Sequence, residues 1–358
     1  MCKKVIIAMS GGVDSSVAAL LLKQSGYQTV GITLKLFDNE DVGISREKTC
    51  CSLDDITDAQ RVSAKLEIPH YVFNLSEDFS KYVIDNFTDT YLCGNTPNPC
   101  IECNRHIKFR LLLERAERMD FDAIATGHYC SKEKDSSGRF LLKKAADLSK
   151  DQTYVLYMLT QKQLSKTLFP LGGMTKNQVR EIAEQADLIN ARKHDSQDIC
   201  FVKDNDYKAF IEARTKKSFP HGDFCLSDGT KVGEHKGIIG YTIGQRKGLG
   251  IAYSEPLYVI RKDTKTNVIT VGRENELYSQ RVRVENVNFI PFDRLDTPMR
   301  ASAKLRYSQK ESPCTIFPNG ECSVILEFDA PQRAVTTGQA AVFYDGEYVL
   351  GGGTIADM

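Results

Sequence analysis

Val5-Ile6-Ile7-Ala8-Met9-Ser10-Gly11-Gly12-Val13-Asp14-Ser15-Ser16 carries the clearest fold signal in the chain. Residues 5–9 form an uninterrupted apolar run, the signature of a strand buried on both faces. Two glycines follow, which let the backbone turn through unusual dihedrals and bring N–H groups close to an anion. Residues 15–24 then show helical periodicity, so the loop opens onto a helix N-terminus whose dipole and free N–H groups favour phosphate. Ser10, Ser15 and Ser16 can add hydroxyl donors, and Asp14 can hold Mg²⁺ or cap the helix. No Lys-Ser/Thr pair stands at Walker spacing, and the string is not GxGxxG. A lone Gly-Gly is ordinarily a capped turn; seven such residues between strand and helix read as a phosphate loop.

Outward from the loop, strand patterns at 30–37, 70–75 and 121–126 alternate with helical patterns at 60–66, 81–92 and 106–119. A further helix is expected over 176–186, with Thr175 as its N-cap. This order argues an α/β fold, a mostly parallel sheet covered by helices on both faces. The texture changes near residue 205. Residues 203–275 are glycine-rich and carry 13 Lys/Arg against 9 Asp/Glu, a local basic excess. From about 276, short alternating runs at 281–289, 299–305, 314–317, 323–328, 340–344 and 348–354 are separated by turns such as Pro318-Asn319-Gly320 and Asp345-Gly346. They read as a small antiparallel β-barrel. Three domains are expected: 1–205, 206–275 and 276–358.

Across the 358 residues, 47 basic side chains balance 47 acidic ones, which excludes a wholesale basic nucleic-acid coat but not a local basic face. No apolar run approaches the roughly 18 residues of a membrane span. No secretory leader pattern opens the chain, so a cytoplasmic location is expected. The cysteines number eleven; an odd count in a long chain argues against a secreted disulfide framework. Cys2, Cys93, Cys130, Cys225, Cys314 and Cys322 read as small packing residues. Cys50–Cys51, Cys100, Cys103 and Cys200 call for another explanation.

Cys100 and Cys103 lie in Thr96-Pro97-Asn98-Pro99-Cys100-Ile101-Glu102-Cys103-Asn104. The prolines keep the segment extended until the last is passed. Cys103 then stands near the start of the 106–119 helix, where the dipole favours thiolate. Cys200 ends the string Asp195-Ser196-Gln197-Asp198-Ile199-Cys200. Cys100-x-x-Cys103 is also half of a zinc site, for which Cys50–Cys51 are the obvious further ligands; adjacent cysteines diverge along a strand, which makes that pairing awkward.

The Ser10–Ser16 string resembles the pyrophosphate loop of the PP-loop ATPases, which implies cleavage of ATP between the α and β phosphates. Together with 96–104 and 195–201, with Ala125-Thr126-Gly127-His128-Tyr129, and with segments 149–154, 244–250, 305–307 and 338–344, essentially the whole chain is similar to the tRNA-specific 2-thiouridylase family. The resemblance implies an enzyme that thiolates C2 of the wobble uridine after adenylating its oxygen, since a carbonyl oxygen is a poor leaving group. The base must first be unstacked into a pocket. By resemblance, Ala8, Met9, Ser10, Gly11, Gly12, Val13, Asp14, Ser15, Leu34 and Gly127 bind ATP with Mg²⁺. Cys103 is the nucleophile and Cys200 receives sulfur as a persulfide. Asn98, Pro99 and Cys100 meet the target base; His128, Lys150, Asp151, Gln152, Arg306, Tyr307 and Gln339 contact the tRNA. The implied partners are the tRNAs for Lys, Glu and Gln, and a sulfur donor such as a cysteine desulfurase relay or free sulfide.

The commonest family pattern has aspartate where this chain has Cys100. Two mechanisms therefore stand open: a persulfide on Cys200 resolved by Cys103 through disulfide exchange, or a [4Fe–4S] cluster on Cys100, Cys103 and Cys200 that presents sulfide. Plainer readings stand beside several residues. His128 could be a satisfied surface group, although it ends a parallel strand, where ligands gather. Arg246–Lys247 could be a solvated turn, although the local basic excess favours phosphate contacts. Arg306–Tyr307 could pair for stability alone, and His194, Asp195 and Asp198 read as surface charge. The rival functions are an ammonia-using synthetase of the same superfamily and a non-catalytic tRNA-binding module.

Overall fold

The computed structural model describes residues 3–37, 53–194 and 199–357. Cys2, Cys50, Cys51 and Asp195 to Asp198 lie outside the described residues. In the first part of the chain, β1 (Lys4–Ala8) leads through the glycine loop into α1 (Val13–Gln24), β2 (Gln28–Lys35), α2 (Leu53–Lys65) and β3 (His70–Asn74). A helical run follows over α3 (Ser76–Phe79), a π-type segment at Ser80–Ile84 and α4 (Asp85–Leu92). A second run comprises α5 (Pro99–Glu102), a π segment at Cys103–Leu111 and α6 (Leu112–Arg118), before β4 (Ala123–Ala125).

These strands form a five-stranded sheet in the order β3-β2-β1-β4 with a short last strand at Thr167–Leu168, and every pairing is parallel. Period-two alternation splits β1: Ile6 points to one core, and Val5 and Ile7 to the other, all fully buried. That double burial is why 5–9 reads as an uninterrupted apolar run. The chain proceeds to β2 on one side of β1 and returns to β4 on the other, so the loops after β1 and β4 meet at a topological switch point.

Several strands escape the sequence reading, the short one at Thr167–Leu168 and those of the middle segment among them. Here β5 (Ser131–Lys134) and β6 (Phe140–Lys143) form a hairpin that leaves the parallel sheet and joins the C-terminal barrel. The middle segment folds as a four-stranded sheet of 222–225, 231–235, 258–263 and 268–272, preceded by a helix at Tyr207–Thr215. All six C-terminal strands expected from the alternation are present, at Tyr278–Phe289, Met299–Lys304, Ser312–Pro318, Ser323–Arg333, Ala340–Asp345 and Tyr348–Ala356. The first pairs with both the fourth and the last, which closes an antiparallel barrel and removes its edges. The α/β core and the antiparallel barrel thus stand as expected.

The barrel is also fused to the helical core. Ala340, Val342, Tyr344 and Val349 share one apolar cluster with Ile6, Phe79, Phe87 and Ile107. Tyr154 donates to the Ala340 carbonyl (2.8 Å) and Asn288 donates to the Tyr157 carbonyl (2.8 Å), so residues 153–159 act as a brace between the two.

Candidate functional site

The glycine loop is held from within and from far along the chain. Ser15 and Ser16 each donate to the Gly12 carbonyl at 3.0 Å, and the Ser10 N–H reaches Ser15 Oγ at 3.2 Å. Gly11 has φ +73° and lies so close to Asp55 that a Cβ would meet its carbonyl at 2.4 Å, so glycine is required there twice over. Met9 is buried under β2, where Thr33 donates to its carbonyl (2.9 Å); Ala8, Val13 and Leu34 line the same neighbourhood as packing residues. Gly127, at the end of β4, touches the loop backbone: a Cβ there would stand 2.8 Å from the Ser15 nitrogen.

Asp14 neither caps the helix nor is free for a metal. Gly12 is the N-cap and no side chain caps it. The Asp14 carboxylate takes Lys176 Nζ at 2.8 and 2.9 Å and the Tyr129 hydroxyl at 2.8 Å. Lys176 is 7% exposed, a depth at which an ammonium needs a paired charge. Asp55 and Asp58 are likewise paired, both with Lys193, which also donates to the Gly11 carbonyl at 3.3 Å. Asn190 donates to Gly11 and to Ser16 Oγ at 2.9 Å each. The three carboxylates of Asp14, Asp55 and Asp58 are thus each already paired with a lysine. Lys176, Asn190 and Lys193 were missed from sequence because they sit more than 150 residues from the loop they serve and have no motif around them.

The cysteine segment begins a helix earlier than expected. Pro99 occupies the first helical turn, where its missing N–H costs nothing. Cys103 therefore lies inside a continuous helical run rather than ahead of one, and is buried. This overturns the expectation of a dipole-lowered thiol: desolvation pushes Cys103 up to about 11, with Lys108 opposing the rise and Cys100 adding to it. Cys100 is exposed, Pro99 buried and Asn98 half-buried. The barrel grips this segment from outside. The Thr96 N–H donates to the Thr337 carbonyl (2.9 Å), and Gln339 Nε2 donates to the carbonyls of Thr96 and Pro97 at 3.0 and 3.1 Å. Tyr307, 45% exposed, packs edge-on against Tyr154 and lies within electrostatic reach of Cys100 and Asp151.

Several residues expected to touch RNA are occupied within the fold. His128 is buried and its Nδ1 pairs with Thr126 Oγ1 at 2.8 Å, so no RNA reaches it in this state. The Arg306 guanidinium donates to Ala334 O and Thr336 Oγ1 at 2.8 Å each, inside the protein. Asp151 accepts from the Ala145 N–H and from Thr153 Oγ1, and Gln152 accepts from the Tyr129 N–H. Lys150 is half-buried, whereas Arg246 and Lys247 are exposed.

Burial, with a smaller push from Lys108, holds the His128 imidazole well below its usual range. The folded state keeps it neutral, while the unfolded chain takes a proton below about pH 6.5. Stability from this residue is therefore present above that pH and is lost as pH falls, by up to ~1.4 kcal/mol per pH unit. His128→Asn should show a shallower loss of stability between pH 6.5 and 5 in urea unfolding; a slope equal to wild type would sink the assignment.

Cys200 is half-buried beside Phe201, whose ring lies against Phe79, Phe87 and Phe210 with centroids at 5.7, 5.2 and 5.3 Å. Among the described residues, no group of three or more His, Cys, Asp or Glu side chains is placed to hold a metal ion. Cys100, Cys103 and Cys200 therefore do not form a cradle for a [4Fe–4S] group here.

A glycine loop at the switch point of a parallel sheet, backed by a barrel that grips a cysteine segment, defines a PP-loop enzyme with accessory β domains. Residues 3–204 match the family model described as "tRNA methyl transferase HUP domain", 208–273 the "tRNA methyl transferase PRC-barrel domain" and 279–355 the "Aminomethyltransferase beta-barrel domain". The chain is 51% identical to the tRNA-specific 2-thiouridylase MnmA of Clostridioides difficile, across 99% of this chain and 98% of that one. It is 50% identical to the MnmA of Acetivibrio thermocellus over 99% of both chains, and 48% identical to that of Clostridium acetobutylicum over 99% and 100%. The chain belongs to the tRNA-specific 2-thiouridylase family.

Proposed function

We propose that this chain binds ATP at residues 8–15, with Leu34 and Gly127, and uses it to thiolate the wobble uridine of tRNA, acting in the cytoplasm. The uridine C2 oxygen attacks the α phosphorus and pyrophosphate leaves. The terminal sulfur of a Cys200 persulfide then bonds to C2 and AMP departs. The Cys103 thiolate attacks the Cys200 sulfur, which forms the Cys103–Cys200 disulfide and frees 2-thiouridine. The two cysteines are oxidised as the sulfane sulfur is reduced, and a thiol reductant resets them. The persulfide sulfur comes from a donor such as a cysteine desulfurase relay, and the substrates implied by family are the tRNAs for Lys, Glu and Gln.

The observation that carries this reading is the line from loop to thiol. Gly127 packs on the Asp14–Ser15 backbone, His128 follows it, and Lys108 lies within electrostatic reach of both His128 and Cys103. A nucleotide gripped by the loop and a base held at Asn98, Pro99 and Cys100 would then share one site. With ATP, the purified protein and unmodified tRNA, AMP and pyrophosphate should be released only when tRNA is present. Formation of ADP, or release that ignores tRNA, would overturn the proposal in favour of another ATP-using reaction.

A further inference from the structure

Asn190 lies 4% exposed behind the glycine loop, on a turn whose Leu188 and Ala191 pack into the same core as Val13 and Val17 of α1. Its amide nitrogen makes two bonds, to the Gly11 carbonyl and to Ser16 Oγ, each at 2.9 Å. Its Oδ1 is buried and has no hydrogen-bond partner among the described residues. The Gly11 carbonyl can only accept, so the amide must face the loop with its nitrogen. The polar work of this side chain is therefore done by its N–H groups.

Those two bonds orient two successive peptides. The Gly11 carbonyl is held from behind, with Lys193 Nζ as a second donor at 3.3 Å, itself fixed by Asp55 and Asp58. Ser16 Oγ, held by the other amide hydrogen, donates in turn to the Gly12 carbonyl at 3.0 Å. The peptide joining Gly11 to Gly12 is trans, so its N–H points opposite to its carbonyl. With the carbonyl drawn to the buried rear, the Gly12 N–H faces forward. Gly12 is half-buried, and a Cβ there would meet Ser10 Oγ alone, at 3.4 Å, so the loop is open beside it. Among the described residues no acceptor takes that N–H. A peptide between two glycines turns over easily, because neither flanking residue has a Cβ to oppose the change. Turned over, it would present a carbonyl oxygen to an anion instead of an N–H. Without Asn190, the remaining donor to the Gly11 carbonyl among the described residues is Lys193, at longer reach and shared with two carboxylates.

We propose that Asn190 is a positioning residue of the phosphate loop: it locks the Gly11–Gly12 peptide with its N–H forward, as a donor to the pyrophosphate part of ATP. This deepens the proposed function and rests on its reading that ATP binds at residues 8–15.

The test compares the full-length wild type with Asn190→Leu, which keeps the size of the side chain and removes the amide. The readout is inhibition of tRNA-dependent AMP formation by inorganic pyrophosphate and by adenosine. Asn190→Leu should weaken pyrophosphate inhibition and raise the KM for ATP, each by about tenfold, as the loss of one well-placed donor to a charged group predicts. Adenosine inhibition should stay within about twofold of wild type, because the donor faces the phosphates. Asn190→Ala removes the same amide without adding an apolar branch, so it should show the same split and guards against a Leu variant that fails to fold. Unchanged pyrophosphate inhibition, or equal weakening of both inhibitors, would overturn the proposal. The first result makes Asn190 a packing residue, and the second makes it a general support of the fold. Failure of the ATP reading is distinguishable, because it appears in the wild-type protein itself, as AMP formation that is absent or independent of tRNA.

Discussion

Cys200→Ser should abolish 2-thiouridine formation and leave tRNA affinity within about twofold of wild type. Cys200 is half-buried against the core, next to Phe201, which is 1% exposed in a cage of Phe79, Phe87 and Phe210. Serine keeps the backbone and nearly the same volume, so the cage stands and stability changes by no more than about 1 kcal/mol. The chemistry does not survive. A hydroxyl stays protonated at neutral pH and cannot accept sulfane sulfur from a donor, whereas a thiolate can. The measurement is nucleoside composition by liquid chromatography and mass spectrometry, beside filter binding at a fixed salt concentration, since tRNA affinity depends steeply on salt. Lost binding would make Cys200 a structural residue, and residual thiolation would remove it from the sulfur path.

The glycine loop between strand and helix and the barrel are legible in the sequence because each depends on local pattern. The run at 5–9 is apolar since both faces of β1 are covered, and barrel strands such as Ser312–Pro318 and Ser323–Arg333 alternate since one face is covered. The cysteine segment was misjudged in its energetics. Prolines at 97 and 99 read as helix breakers, but a proline in a first turn is a helix starter, and that shift of a few residues moved Cys103 from an exposed helix end into the core. The hairpin at 131–143 was missed because its partner strand, Tyr348–Ala356, lies some 200 residues away. The same distance hides the braces. Gln339, expected to contact the tRNA, uses its amide to hold the backbone of Thr96 and Pro97. Arg306, expected to contact the tRNA, directs its guanidinium to three internal oxygens, those of Ile243, Ala334 and Thr336. Long polar side chains in a motif show that something is being held, and only the fold shows whether it is substrate or another part of the chain.

Gly127→Val should cut tRNA-dependent pyrophosphate release at least a hundredfold, about 2.7 kcal/mol in the barrier. Gly127 is not in the left-handed region; its constraint is space. A Cβ would lie 2.8 Å from the Ser15 nitrogen and 2.9 Å from the Asp14 carbonyl carbon. Those are backbone atoms of the loop where it enters α1, so no flexible side chain can swing away to make room. Either the end of β4 retreats from the sheet or the loop tilts, and a tilt turns the N–H groups at the head of α1 away from where a pyrophosphate would sit. Asp14 moves with them and strains its bonds to Lys176 and Tyr129. Overpacking of this kind costs stability as well, about 1–3 kcal/mol. The folded fraction must therefore be checked by urea unfolding before rates are compared. Gly173→Ala is the matched control, since a Cβ at that position meets nothing within 4 Å. A Gly127→Val protein that is folded and releases pyrophosphate at the wild-type rate would show that the loop does its work without the support of β4, and would move the nucleotide away from the switch point.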